Sequence, residues 1–213
     1  RTLVTDQAGK QRISKTNALG QLKDIWEVTA SDANTEAITF GNPAVNLNGY
    51  KTSYSYDTLN NLTTVNQGVQ TRSFTYSSLS RLLSATNPES GTISYGYDNN
   101  GNLTAKTDAR GVQTAYVYDA LNRVTNRNYT APGGLANYQA TPNVNYTYDN
   151  LTNAKGKLTK VSSIVSTTEY TAFDILGRVT SHKQTTDGTA YTTGYVYNLS
   201  GALIEETYPS TRK

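Results

Sequence analysis

Five aspartates, Asp57, Asp98, Asp119, Asp149 and Asp174, recur along the chain, each directly behind an aromatic residue. Carboxylates in series are candidate general acids and bases, and Asp98-Asn99-Asn100-Gly101-Asn102 has the outline of a calcium loop. Two features of the sequence weigh against both chemistries. The same position is Ser77 in one copy and Asn198 in another, and neither side chain can replace a titrating carboxylate. An EF-hand loop opening at Asp98 would need its closing bidentate Glu where Ala109 stands. His182 is the single histidine and the chain has no cysteine, so a thiolate or His-rich metal site cannot be assembled. A Ser-His-Asp triad would have to recruit His182 without a nucleophile elbow, and no phosphate-binding glycine loop is present. The residue inventory therefore predicts neither an enzyme nor a bound metal or cofactor.

What it predicts instead is a repeat, and repeats are the first thing to seek in a chain of this composition. Tyr54-Ser55-Tyr56-Asp57 returns as Tyr95-Gly96-Tyr97-Asp98, Tyr116-Val117-Tyr118-Asp119 and Tyr146-Thr147-Tyr148-Asp149. Weaker copies are Phe74-Thr75-Tyr76-Ser77, Phe173-Asp174 and Tyr195-Val196-Tyr197-Asn198. With the residue after the aromatic as marker, the steps are 20, 21, 21, 30, 25 and 24 residues: a unit lengthened by loop insertions in its later copies. Three residues after the marker stands Asn60, Ser80, Gly101, Asn122, Gly177 or Gly201. Gly and Asn tolerate a positive φ, and Asp or Asn at the head of a turn can bond the backbone two residues on. Each tetrad thus reads as a tight hairpin turn ending in a left-handed residue. A polar, an apolar and usually a Thr residue follow, as in Arg123-Val124-Thr125, which predicts a strand of period-two alternation. A second turn, for example Asn66-Gln67-Gly68, Asp108–Gly111 or Thr186–Gly188, closes each unit.

Composition agrees with strands. There are 17 Tyr against 3 Phe and 1 Trp, many Thr and Ser, and no Met. The organisation expected is a single array over residues 1–213. Its repeats are degenerate over 1–50, regular at about 21 residues over 51–130, and lengthened by loops over 131–213. Asn17-Ala18-Leu19-Gly20 reads as a worn turn, and Trp26 as a packing residue beside it. A formal charge of +3, without clustered basic residues, argues against nucleic acid as a partner. The sequence has no run of about 18 apolar residues, so membrane insertion by a helix is not expected. The lack of Met and the start at Arg1 predict a piece of a longer gene product or a processed form.

The pattern Tyr-x-Tyr-Asp-x-x-Gly/Asn-Arg/Asn-Leu/Val-Thr resembles the YD repeat of the Rhs family, which includes bacterial polymorphic toxins, toxin-complex shell components and teneurins. The resemblance covers most of the chain. It implies an all-β fold of serial antiparallel β-hairpins in a curved or spiralling sheet, part of a hollow shell or tube. It also implies a bacterial, secreted or cell-surface setting and an encapsulated polypeptide as partner. The sequence departs from the family at Ser77 and Asn198, and it lacks the Pro- and Gly-rich core motif that closes many such shells.

Two further partner expectations come from the strands themselves. Tyr54 with Tyr56, Tyr95 with Tyr97 and Tyr116 with Tyr118 share a sheet face, so stacked repeats would build aromatic ladders. Such ladders hold the sheet together or, where exposed, stack on sugar rings. Unpaired edge strands would template homo-oligomers or a head-to-tail filament. The function expected is a non-catalytic structural segment of a shell or filament, with a glycan-binding adhesin or an enclosing toxin shell as alternatives.

Overall fold

A computed structural model of the chain describes residues 2–28, 49–133, 139–210 and 212. All regular structure among them is β-strand, and the chain divides into two compact units, Arg1–Tyr95 and Gly96–Lys213. Of the degenerate repeats expected over residues 1–50, residues 29–48 lie outside the described residues.

The first unit is an antiparallel meander. Its strands are β1 (Thr2–Thr5), β2 (Gln11–Thr16), β3 (Leu22–Val28), β4 (Gly49–Tyr56), β5 (Leu62–Gln67), β6 (Gln70–Tyr76), β7 (Leu82–Asn87) and β8 (Gly91–Tyr97). Each pairs with the next, from Leu3 opposite Ile13 to Ala85 opposite Ile93. The second unit takes the end of β8 and continues the same way. Its strands are β9 (Leu103–Thr107), β10 (Gln113–Tyr118), β11 (Val124–Thr130), β12 (Val144–Tyr148), β13 (Leu158–Ser162), β14 (Ser166–Phe173), β15 (Val179–Thr186), β16 (Thr189–Tyr197) and β17 (Leu203–Thr207). Consecutive strands from β9 to β17 are antiparallel neighbours.

Burial is partial almost everywhere. Among the described residues only Ile13, Ala85, Ala154 and Thr159 are buried, and Ile13 is the one large side chain fully enclosed. Most strand residues are half-covered by their neighbours on the same sheet face. This explains the choice of Tyr and Thr over Leu and Phe: an amphipathic side chain keeps a polar tip in water while its body covers the sheet. A single hairpin is marginal in water, so each draws its stability from the next one along, as repeat arrays do.

The return strands depart from simple alternation. Val117 pairs with Asn126 but Tyr118 pairs with Val124, which leaves Thr125 as an extra residue. Thr147 pairs with Lys160 and Tyr148 with Leu158, leaving Thr159. Equivalent register shifts follow Lys15, Ser55, Thr75, Ala172 and Val196. The extra residue is Thr63, Thr125, Thr159 or Thr180 in four copies and Lys23, Leu83 or Ile204 in the others. In two copies the Thr hydroxyl bonds across the bulge: Thr125 Oγ1 donates to the Val117 carbonyl at 3.2 Å and Thr159 Oγ1 to that of Thr147 at 3.0 Å. A bulge strengthens the local twist beside the turn and re-aims the side chains that follow it.

Turns at the opposite ends of the strands are more varied. Gly68-Val69 and Asp187-Gly188 are two-residue hairpin loops, the latter with φ of 49° and 79°. Two positive φ values are what a type I′ turn needs, and its twist matches the strands it joins.

Candidate functional site

Within each unit the marker residues lie at one edge of the meander: where β2, β4 and β6 end in the first, and where β8, β10, β12, β14 and β16 end in the second. There the structure places the same turn again and again. Asp57 N–H donates to the Asn61 carbonyl at 3.0 Å, and Asn60 N–H donates back to the Asp57 carbonyl at 3.2 Å. Asp57 Oδ1 accepts the N–H groups of Leu59 and Asn61 at 2.9 and 2.8 Å. Asp119 does the same to Leu121 and Arg123, and Asp174 to Leu176 and Arg178. One carboxylate oxygen thus satisfies two backbone donors that a tight turn would leave unpaired. The fourth residue of each tetrad is left-handed: Asn60 at φ 67°, Gly101 at 89°, Asn122 at 59°, Gly177 at 73° and Gly201 at 91°.

Substitutes at the marker fit this role. Ser77 Oγ reaches the N–H groups of Leu79 and Arg81 at 3.3 and 3.2 Å. Asn17 Oδ1 accepts from Leu19 and Gln21 at 3.0 and 2.9 Å, so the turn that looked worn in the sequence is complete. Asp149 heads a longer loop instead, in which Gly156 N–H donates to its Oδ1 and Lys157 supplies the closing carbonyl. The same chemistry also appears at the opposite edge, where Asp108 Oδ1 holds Arg110 and Val112 and Asp6 Oδ1 holds Ala8 and Lys10.

The other carboxylate oxygen takes the side chain four residues on. Asn61 and Asn102 donate to Asp57 and Asp98 at 2.9 Å each. Arg123 Nε reaches Asp119 at 2.7 Å and Arg178 Nε reaches Asp174 at 2.6 Å. These bonds hold the carboxyls below the ordinary range. For Asp57, Asp98 and Asp149 the leading cause is a side-chain donor, from Asn61, Asn102 and Arg123 respectively. For Asp119 and Asp174 it is the backbone N–H of Arg123 and Arg178. Carboxylates consumed this way are poor proton acceptors near neutral pH, the reverse of what a general base requires.

Sequence reasoning took the residue four places after the marker, just beyond the tetrad, only as polar, yet it ties one repeat to the next. Beyond Asp119, Arg123 extends to Asp149 Oδ2 at 2.7 Å and lies over the Tyr148 ring at 4.4 Å. Arg178 lies over the Tyr197 ring at 4.7 Å and donates to the Asn198 carbonyl at 3.2 Å. The second Tyr of the motif completes the link from its own side: Tyr118 OH donates to the Leu103 carbonyl at 2.8 Å and Tyr148 OH to that of Val124 at 3.0 Å. Burial raises the pKa of both phenols. Tyr148→Phe is expected to lower the urea-unfolding free energy by about 1 kcal/mol, the net worth of one such bond. An unchanged transition would mean water replaces the hydroxyl at Val124 at no cost.

The remaining aromatic positions, Tyr54 and Tyr56 on β4, Tyr95 and Tyr97 on β8, Tyr116 on β10, Tyr146 on β12 and Tyr195 on β16, are all half-buried. The concavities along the sheet are open grooves, one of which is the flank of the Asp174 turn beside Tyr195 and Tyr197. Among the described residues no three His, Cys, Asp or Glu side chains gather as a metal site would require.

Fold and turn together define a serial β-hairpin repeat protein whose motif residues join neighbouring hairpins. Residues 76–113 and 97–136 match the RHS Repeat family model, so this stretch carries Rhs-type repeats. No curated protein matches it. Among solved structures, it superposes on TcdB2-TccC3 without the hypervariable C-terminal region with a TM-score of 0.70 and 14% identity over 95% of its length. The Photorhabdus luminescens Tc holotoxin pore gives a TM-score of 0.71 and 14% identity over 95%. The chain spans 11% of each of those chains. At that identity the likeness is one of fold.

Proposed function

We propose that the chain is a non-catalytic wall segment of a secreted bacterial assembly, a stretch of a shell that encloses a polypeptide. The observation that carries this reading is the use made of the motif. At Asp57, Asp119 and Asp174 one carboxylate oxygen accepts two backbone N–H groups and the other takes the side chain four residues on, so both oxygens are taken up within the turn. A single layer of half-buried hairpins suits a wall: it gives area for little chain, and length is added by adding repeats. The likeness to TcdB2-TccC3 supports the shell reading at the level of fold. The glycan reading has less support, because Arg123 and Arg178 occupy the ring faces of Tyr148 and Tyr197 that a sugar would stack on.

Negative-stain electron microscopy of the purified chain, with light scattering for its mass, tests the proposal. Curved, open-ended wall fragments are expected. Fibres with a regular axial repeat would point instead to assembly through paired strand edges. A turnover activity abolished by Asp119→Asn in a chain that still folds would overturn the structural reading altogether.

A further inference from the structure

The turn headed by Asp98 differs from its relatives at one place. The residue before its left-handed glycine is Asn100, where leucine stands exposed at Leu19, Leu59, Leu79, Leu121 and Leu176, and serine at Ser200. Asn100 and Gly101 are both exposed, and Gly101 lies at φ 89°. Apart from its sequence neighbours, no atom stands within 4 Å of the place where a Cβ would project from Gly101. The Asn100 carboxamide is also in use. Its Nδ2 donates to Asn122 Oδ1 at 3.0 Å, beside Asn102 Nδ2 at 2.7 Å, so the amide ties this turn to that of the next repeat. A carboxamide carbon followed by an unhindered backbone nitrogen is a reactive pair, and this pair sits at a link between repeats.

We propose that Asn100 is a site of spontaneous deamidation, a one-way modification that unties the Asp98 turn from the Asp119 turn. The Gly101 backbone nitrogen gives up its proton to solvent base and attacks Asn100 Cγ. A five-membered succinimide forms as the Cγ–Nδ2 bond breaks, and Nδ2 leaves as ammonia. Water then opens the ring at either carbonyl, giving aspartate or isoaspartate. One water enters, one ammonia leaves and nothing is oxidised. Glycine suits the step because a side chain on the attacking residue would crowd its nitrogen. In the closed turn the Gly101 N–H is held by the Asp98 carbonyl at 3.1 Å, so ring closure proceeds from an opened tip. Exposed tips open at small cost, which makes the folded chain slower than the unfolded one without making it inert. The product cannot serve the link. A carboxylate has no proton to give Asn122 Oδ1, and if Asn122 turns its amide to donate, it forfeits the bond from Asn102. Isoaspartate also lengthens the main chain inside a tetrad that closes from Gly101 to Asp98.

Ageing of the full chain at body temperature and mildly alkaline pH, followed by peptide mapping in a mass spectrometer and enzymatic isoaspartate labelling, tests this. Asn100 should convert at a rate within about a hundredfold of the same chain unfolded in guanidinium, as opening at low cost allows. Isoaspartate should be among the products, and the rate should rise with pH. The urea midpoint of the aged chain should shift down, toward or below that of Asn100→Asp. Asn100→Ser, which copies Ser200, should lose the modification and keep its own midpoint on ageing. That variant separates Asn100 from any other asparagine that ages. An Asn100 that stays intact in the folded chain while the unfolded chain converts would show the turn locking it, and would overturn the proposal. Conversion that leaves the urea midpoint in place would overturn it too, since the amide would then tie nothing.

Discussion

Gly177→Val is expected to lower the unfolding free energy by about 2–3 kcal/mol, whereas Gly177→Asn should cost less than about 1 kcal/mol. Gly177 sits at φ 73°, in the left-handed region, where a β-branched side chain is a conformational outlier. An added Cβ would also stand 3.3 Å from Lys157 Cε and 3.4 Å from the Asn153 carbonyl, in the loop of the preceding repeat. The lysine can move aside and the Cβ itself meets the carbonyl at ordinary contact distance, so any crowding comes from valine's two methyl groups. Asparagine fills the equivalent place at Asn60 and Asn122 with φ of 67° and 59°, so the repeat itself shows which side chain the position accepts. Urea titrations followed by far-ultraviolet circular dichroism would rank the two variants. Equal losses would mean that steric crowding at Asn153, rather than the left-handed backbone, decides the site.

The turn was legible because its requirements are local. Asp57 and Asn60, or Asp119 and Asn122, are three residues apart, and the bonds that fold the tetrad are made within it. The return strand was less so. Thr125 follows Val124 as any alternating residue would, and only the pairing of Tyr118 with Val124 makes it a bulge. Register belongs to two strands at once, and one strand's sequence carries half of it. The link from Arg123 to Tyr148 and Asp149 is hidden for a related reason. It spans about 25 residues of sequence in a repeat whose loops vary in length, so no fixed spacing announces it. Its signal was nonetheless present: Arg81, Arg123 and Arg178 hold the same place after their markers. The exposed leucines needed the structure most, since an apolar residue beside a strand reads as core until its surroundings are seen to be empty.

Acid should unfold the array over a window set by the turns. Asp57, Asp98, Asp108, Asp119, Asp149 and Asp174 all have carboxyls depressed below the ordinary value of 3.8. Glu169, pinned between Lys160 and Lys183 on β13, β14 and β15, is depressed below 4.5. A group whose folded pKa is lowered binds fewer protons in the folded state than in the unfolded one. Its contribution is therefore complete above the unfolded value and drains away as pH falls through the depressed folded value. The urea midpoint should stay level from neutral pH to about 5, then fall steeply below about 4, where the unfolded chain takes up protons that the turns refuse. Asp57→Asn with Asp98→Asn offers the discriminating comparison. An amide oxygen can hold both backbone donors, as Asn17 does for Leu19 and Gln21, and the partners Asn61 and Asn102 can rotate their amides to suit. The variant should fold at neutral pH and lose its acid dependence by up to about one proton per replaced carboxylate. Parallel acid curves for variant and wild type would place the acid-sensitive charge outside these two turns, with Glu169 and its lysines as the next element to neutralise.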